Sequence, residues 1–80
     1  MDRNAFYSEL DELLELPKGT MRPEQLLDKL PEWDSLAVIS LIALADSKYN
    51  VSLEPKRIGA CKTVQDLALH IEEQEAKRDR

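Results

Sequence analysis

The sequence feature that most limits the fold is an apolar run from Leu36 to Ala45, directly preceded by the polar pair Asp34-Ser35. Asp and Ser favour helix N-caps because their side-chain oxygens accept the unpaired N–H groups of the first turn. We therefore predict a helix from about Ser35 to Lys48. Ser35 should lie at the N-terminus of this helix, where the helix dipole favours negative charge and would stabilise an attached phosphate. By itself, the pair predicts only a cap.

The apolar residues of this second helix fall on two sides when they are projected at roughly 100° per residue. One side should pack on the core and contains Val38, Leu41, Ile42, Ala45 and Tyr49. The opposite side is small and partly apolar and contains Leu36, Ser40, Ala43 and Ser47, with Ile39 between the two sides. We interpret the outer side as a docking surface around Ser35, because exposed apolar patches usually mark contacts. The alternative is a helix buried on both sides.

A first helix is predicted from about Arg3 to Leu16, followed by a long connection to Trp33. Its apolar stripe contains Phe6, Leu10 and Leu13, with Leu14 beside it. The other faces should be solvated and carry Glu9, Asp11, Glu12 and Glu15. Within the connection, residues 23–27 could form a helical turn that starts at a proline. The side chains expected to pin the connection to the core are Leu26, Leu27 and Leu30.

Beyond Tyr49 the sequence predicts an extended loop, a short helical turn over residues 55–60 that breaks at Gly59, and a last helix. Thr63 should cap this last helix, with Asp66 completing a near capping box. The apolar stripe of the last helix contains Val64, Leu67, Ala68 and Ile71. His70 falls beside the stripe and is predicted on the surface. We expect one domain over residues 1–75 and a polar, frayed tail over residues 76–80.

These elements predict an all-α fold, a small bundle of three main helices plus one short helix. The 80 residues carry a net charge of −5, from 11 basic and 16 acidic residues, which argues against nucleic acid and suits a basic partner. The apolar run is too short to span a bilayer, and no signal core precedes it. A sequence with one cysteine cannot form an internal disulfide, which fits the expected cytoplasmic setting. Cys61 is the single cysteine, predicted as a small buried residue. No nucleophile, base or metal-ligand candidates converge, so no enzyme is expected.

Three segments, in this order and at this spacing, resemble the acyl carrier protein family. Asp34-Ser35-Leu36 is similar to the family's Asp-Ser-Leu attachment motif, and the family's apolar pattern follows it at residues 38, 39, 41 and 42. Residues 49–55, Tyr-Asn-Val-Ser-Leu-Glu-Pro, resemble its aromatic and then apolar-x-apolar segment. Residues 63–67, Thr-Val-Gln-Asp-Leu, resemble the capped start of its last helix. The resemblance extends from the first helix to about Glu73.

The resemblance implies that Ser35 receives a 4′-phosphopantetheine arm from coenzyme A through a phosphopantetheinyl transferase, whose bound metal ion neutralises the developing charge. Asp34 would help to position the serine for the transferase. The arm would carry an acyl group as a thioester, loaded by a ligase or acyltransferase and passed to downstream enzymes. The residues expected to contact these partners are Leu36, Ile39, Ala43 and Asp46. The chain itself would be a monomer that binds no metal.

Two departures from the family pattern concern the pathway. Ser40 and Ser47 occupy positions at which many fatty-acid carriers have acids, and the segment with Lys56, Arg57 and Lys62 is basic. We therefore expect a dedicated pathway outside bulk fatty-acid synthesis. The alternatives are an aminoacyl or peptidyl carrier protein, a helical adaptor that is never modified, and a small DNA-binding helical domain, which the acidic balance disfavours.

Overall fold

The structure is a computed structural model that describes residues 1–78. This part of the chain contains four α-helices. They are α1 (Arg3–Leu13), α2 (Ser35–Leu44), α3 (Pro55–Ala60) and α4 (Val64–Arg78). A 3-10 turn at Leu27–Lys29 lies in the long connection, and a π-helical turn at Ala45–Tyr49 extends α2. The predicted all-α bundle of three main helices and one short helix is confirmed.

The core is a cluster of side chains to which every α-helix contributes. Its largest fully buried members are Phe6, Leu10, Leu41, Ile58, Leu67, Ile71 and Val64. The stripe predicted for the last helix is buried at all four positions. In α1 the stripe continues from Leu10 to Leu14, whereas Leu13 is only half-buried. In α2 the buried face is rotated from the prediction, because Ala37 is buried and Val38 is only partly so.

The end of α1 is a Schellman motif, which stops the helix at Leu13 and not near Leu16 as predicted. The N–H of Leu16 donates to the carbonyl oxygen of Asp11 at 2.7 Å, and the N–H of Glu15 donates to that of Glu12 at 3.1 Å. Glu15 supplies the left-handed residue of the motif, with φ of 58°. Glycine usually occupies this position because a Cβ is strained there.

Asp11 contradicts the prediction of a solvated acidic face, since its side chain is 2% exposed. Its two carboxylate oxygens accept the backbone N–H groups of Gly19 at 2.9 Å and Met21 at 2.8 Å. Helix projection placed Asp11 in water because it considers one helix alone, whereas the chain after α1 folds back over this carboxylate. The connection thereby gains partners for backbone groups that no regular structure satisfies.

The connection reaches the core through Leu27, which is 3% exposed, and through the partly buried Leu30. Leu26 was expected to pin the connection as well, but its side chain is 45% exposed and that prediction is wrong. The backbone of Leu26 holds the connection in place instead, because Leu26 and Thr63 form an isolated antiparallel bridge. The helical turn lies at Leu27–Lys29, later than the predicted residues 23–27.

The start of α4 is the predicted capping box. The N–H of Asp66 donates to the Thr63 hydroxyl at 3.3 Å, and the Asp66 carboxylate accepts the N–H groups of Thr63 at 3.1 Å and Lys62 at 2.9 Å. These hydrogen bonds lower the pKa of Asp66. The predicted tail over residues 76–80 begins inside α4, which continues to Arg78, and residues 79 and 80 lie outside the described residues.

Two predictions about α3 and α4 are wrong. The helix α3 does not break at Gly59 but continues through it to Ala60. His70 is not on the surface, since it is 3% exposed. It follows Leu67 by three positions and so flanks the apolar stripe, and residues from the end of α3 lie beside this flank.

We predict that Glu15→Gly stabilises the protein by about 0.5–1 kcal/mol, because glycine adopts the left-handed conformation without the strain of a Cβ. Urea unfolding at constant pH measures the change. Asn50→Gly is the matched control, since Asn50 is also left-handed, at φ of 57°, but Asn tolerates that region. It should change stability by less. A destabilised Glu15→Gly variant would show that the Glu15 side chain itself stabilises the turn.

Candidate functional site

Ser35 is the first residue of α2, and it is exposed. Asp34 precedes it as the N-cap, in an extended conformation, and its carboxylate accepts the N–H of Ala37 at 2.9 Å. The carbonyl oxygen of Asp34 accepts the N–H of Val38 at 3.0 Å. Because Asp34 makes the capping hydrogen bond, the Ser35 hydroxyl takes no part in the cap. The predicted helix start at the Asp34-Ser35 pair is confirmed.

A serine in this position is an accessible primary alcohol at the positive end of a helix dipole. General-base activation of such an alcohol in catalysis usually depends on histidine. The one histidine of the sequence, His70, is buried in the contact between α3 and α4. Ser35 is thus an accessible hydroxyl, with no histidine beside it in the part of the chain that the structure describes.

A shallow depression lies beside Ser35, between the end of α1 and the start of α2. Its apolar wall comes from both helices and contains Leu13, Leu14, Leu36 and Ala37. Three carboxylates also line it, those of Glu15, Glu32 and Asp34. Sequence reasoning missed Glu15 and Glu32 because the Schellman turn and the connection bring them here, and no helix projection contains that information. The start of α2 is thus more acidic than its own sequence suggests.

The outer side of α2 is an exposed row that begins next to Ser35. Leu36 is 70% exposed and Ile39 is 62% exposed, which is unusual for side chains of this size. Ala43 and Asp46 are exposed farther along the row. This exposure excludes the alternative in which α2 is buried on both sides. Ser40 was placed on the outer side as well, but it is half-buried and lines the depression beside Ser35.

The far end of α2 is held by Glu9 of α1, a contact that the sequence did not indicate. The Glu9 carboxylate accepts the hydroxyl hydrogen of Tyr49 and pairs with the ammonium of Lys48. Burial and the neighbouring Glu9 carboxylate raise the pKa of Tyr49. Pairing with Glu9 raises the pKa of Lys48. The charge of Lys48 is therefore neutralised by Glu9, and Asp46 is the remaining charged residue at this end of the exposed row.

The positive charge of the basic segment, residues 56–62, is also partly neutralised by an ion pair. Arg57 pairs with Glu73 of α4 at 2.6 Å, whereas Lys56 and Lys62 are exposed. Cys61 is half-buried, and its thiol donates to the carbonyl oxygen of Arg57 at 3.3 Å. Burial raises the pKa of the thiol, which makes it a weak nucleophile at neutral pH.

Two features are absent from residues 1–78. No group of three or more His, Cys, Asp or Glu side chains in this range is arranged to hold a metal ion. No helix in it combines the length and apolar character needed to cross a membrane.

Comparison with known proteins gives a structural match. No protein-family model and no curated protein matches the sequence. The structure is similar to the solution NMR structure of a holo acyl carrier protein from Geobacter metallireducens, with a TM-score of 0.77. The two chains are 19% identical, and the match covers 98% of this chain and 91% of that one. The chain therefore has the fold of an acyl carrier protein, as the resemblance implied.

Proposed function

We propose that the chain is a carrier protein that bears 4′-phosphopantetheine on Ser35 and presents an acyl group to partner enzymes. The observation that carries the proposal is the exposed Ser35 at the first position of α2, in a chain with the fold of an acyl carrier protein. Asp34 supports it, because this side chain caps the helix and leaves the serine hydroxyl free to react. A monomer in the cytoplasm remains the expectation.

The residues around Ser35 fit a phosphate ester and an enzyme that installs it. The positive end of α2 favours the negative charge of the ester. The exposed carboxylates of Glu15, Glu32 and Asp34 favour a transferase with a basic surface. When bound, the arm supplies a thiol that holds the cargo as a thioester, and this chain contributes the attachment point and the surfaces that partners read.

The partners would dock on the exposed row of α2. Leu36, Ile39 and Ala43 offer apolar contact, and Asp46 offers a single carboxylate. Enzymes that bind a carrier through several carboxylates along this helix would have few carboxylates to contact here. We propose that the carrier serves a dedicated pathway outside bulk fatty-acid synthesis, loaded by its own ligase or acyltransferase.

One observation favours the aminoacyl or peptidyl alternative. Three carboxylates line the depression beside Ser35, and an aminoacyl cargo carries an ammonium group that carboxylates attract. Release of the cargo from the native protein, followed by mass measurement, distinguishes an amino acid from a fatty acyl group.

We predict that coenzyme A and a broad-specificity phosphopantetheinyl transferase add one arm to this protein, on Ser35. Intact-mass measurement before and after the reaction detects the addition. Ser35→Ala should abolish it, and Ser47→Ala, which alters another exposed serine of the same segment, should leave it intact. If several transferases add no arm, or add it elsewhere, the helical adaptor becomes the better account.

We predict that armed Ser40→Glu/Ser47→Glu protein is elongated by fatty-acid-synthase enzymes about 2- to 30-fold more efficiently than the armed wild type at low salt. The estimate assigns about 0.2–1 kcal/mol to each new ion pair with a basic partner. The gain should shrink as salt rises. The matched control is Ser40→Gln/Ser47→Gln, which adds length without charge. If the armed wild type is already elongated as efficiently as a strongly acidic carrier at every salt concentration, the proposed dedicated pathway is contradicted.

A further inference from the structure

His70 is a buried polar side chain without a hydrogen-bond partner. It is 3% exposed, and neither Nδ1 nor Nε2 has a partner among the described residues. It borders a depression between the end of α3 and the middle of α4, lined also by Cys61 and Leu69. An imidazole buried in this way forgoes the hydrogen bonds it makes with water, and its charged form is even less favourable there.

The charged groups that face His70 come from both sides of this contact. Arg57 of α3 and Lys77 of α4 disfavour the imidazolium, whereas Glu54, which precedes α3, and Glu73 of α4 favour it. Asp66 and the Cys61 thiol also line the depression. Desolvation is the largest influence, and it lowers the pKa of His70. The buried imidazole is therefore still neutral at pH values at which a solvated histidine would already be charged.

The element that covers His70 is weakly held. The helix α3 has six residues and a single buried side chain, that of Ile58, and Lys56, Arg57, Gly59 and Ala60 are exposed. A helix this short is marginal without tertiary packing. The Arg57–Glu73 pair that ties it to α4 is exposed at both side chains, so it contributes little. Such elements belong to the least stable part of a fold and can open locally.

We propose that α3 is an acid-released gate, in which protonation of His70 separates α3 from α4 and exposes the surface that Ile58 covers. Hydration stabilises the imidazolium, and displacement of the short helix α3 would bring water to His70. The closed form binds fewer protons at His70 than the open form does. Closure is thus fully favoured above the pKa of a solvated histidine, about 6.5, and it weakens as pH falls from there toward the lowered pKa of the buried form. The gate does not depend on the arm at Ser35.

Hydrogen exchange measured against pH, combined with NMR of the imidazole, tests the gate on the unmodified full chain. Reporter amides are those of Ile58 and Cys61, which donate within α3 and its C-terminal turn at 3.0 and 3.1 Å. Their protection factors should fall by up to about tenfold per pH unit below about pH 6.5. Amides of α1 and α2 should lose much less. The His70 ring resonances should titrate below about pH 6.5.

The variant His70→Leu should abolish the loss of protection between about pH 6.5 and 5, because leucine fills a similar volume and does not titrate. His70→Gln is a second non-titrating variant, which serves if leucine perturbs the packing. Glu73→Gln is the control, because it removes the Arg57 pair and should leave the pH step in place. Hydrogen bonds lower the pKa values of Asp66 and Glu72, so loss of stability through protonation of these carboxylates should begin only at lower pH than the His70 step. An equal loss of protection in all helices, or an unchanged step in both His70 variants, would overturn the proposal.

Discussion

The position of α2 depends on two carboxylates of α1. Asp11 is buried and binds the backbone of the connection at Gly19 and Met21, and Glu9 binds Tyr49 and Lys48 at the far end of α2. Hydrogen bonds to charged groups contribute about 1.5–3 kcal/mol each. The same helix therefore fixes the chain that leads into α2 and the turn that leaves it.

This arrangement explains how an apolar helix can keep one side in water. Leu41 and Ala45 are fully buried, which anchors the inner side of α2, and the anchored ends keep the helix from rolling to bury Leu36 and Ile39. Asp34 completes the arrangement, because its cap defines where the helix begins and leaves the next side chain accessible. An exposed serine beside an exposed apolar row fits the proposed carrier role, in which one enzyme would modify the serine and others would dock on the row.

Local signals in the sequence were sufficient for much of the fold. The caps at Asp34 and Thr63 and the stripe of α4 depend on residues within a few positions of each other, so pattern reading found them. The failures are tertiary. The partners of Asp11 lie eight and ten positions away in a loop, and His70 is buried by a separate helix. Ser35 could be chosen from its neighbours, but the carboxylates of Glu15 and Glu32 beside it depend on how the connection folds.

The central claim is that this protein carries an arm on Ser35 in the cell. The most direct measurement is the intact mass of native protein purified from the cells that make it, with fragmentation to locate any added group. We predict one phosphopantetheine on Ser35, with or without a cargo that neutral hydroxylamine releases. Native protein that is unmodified at Ser35 throughout, from cells that contain an active phosphopantetheinyl transferase, would contradict it.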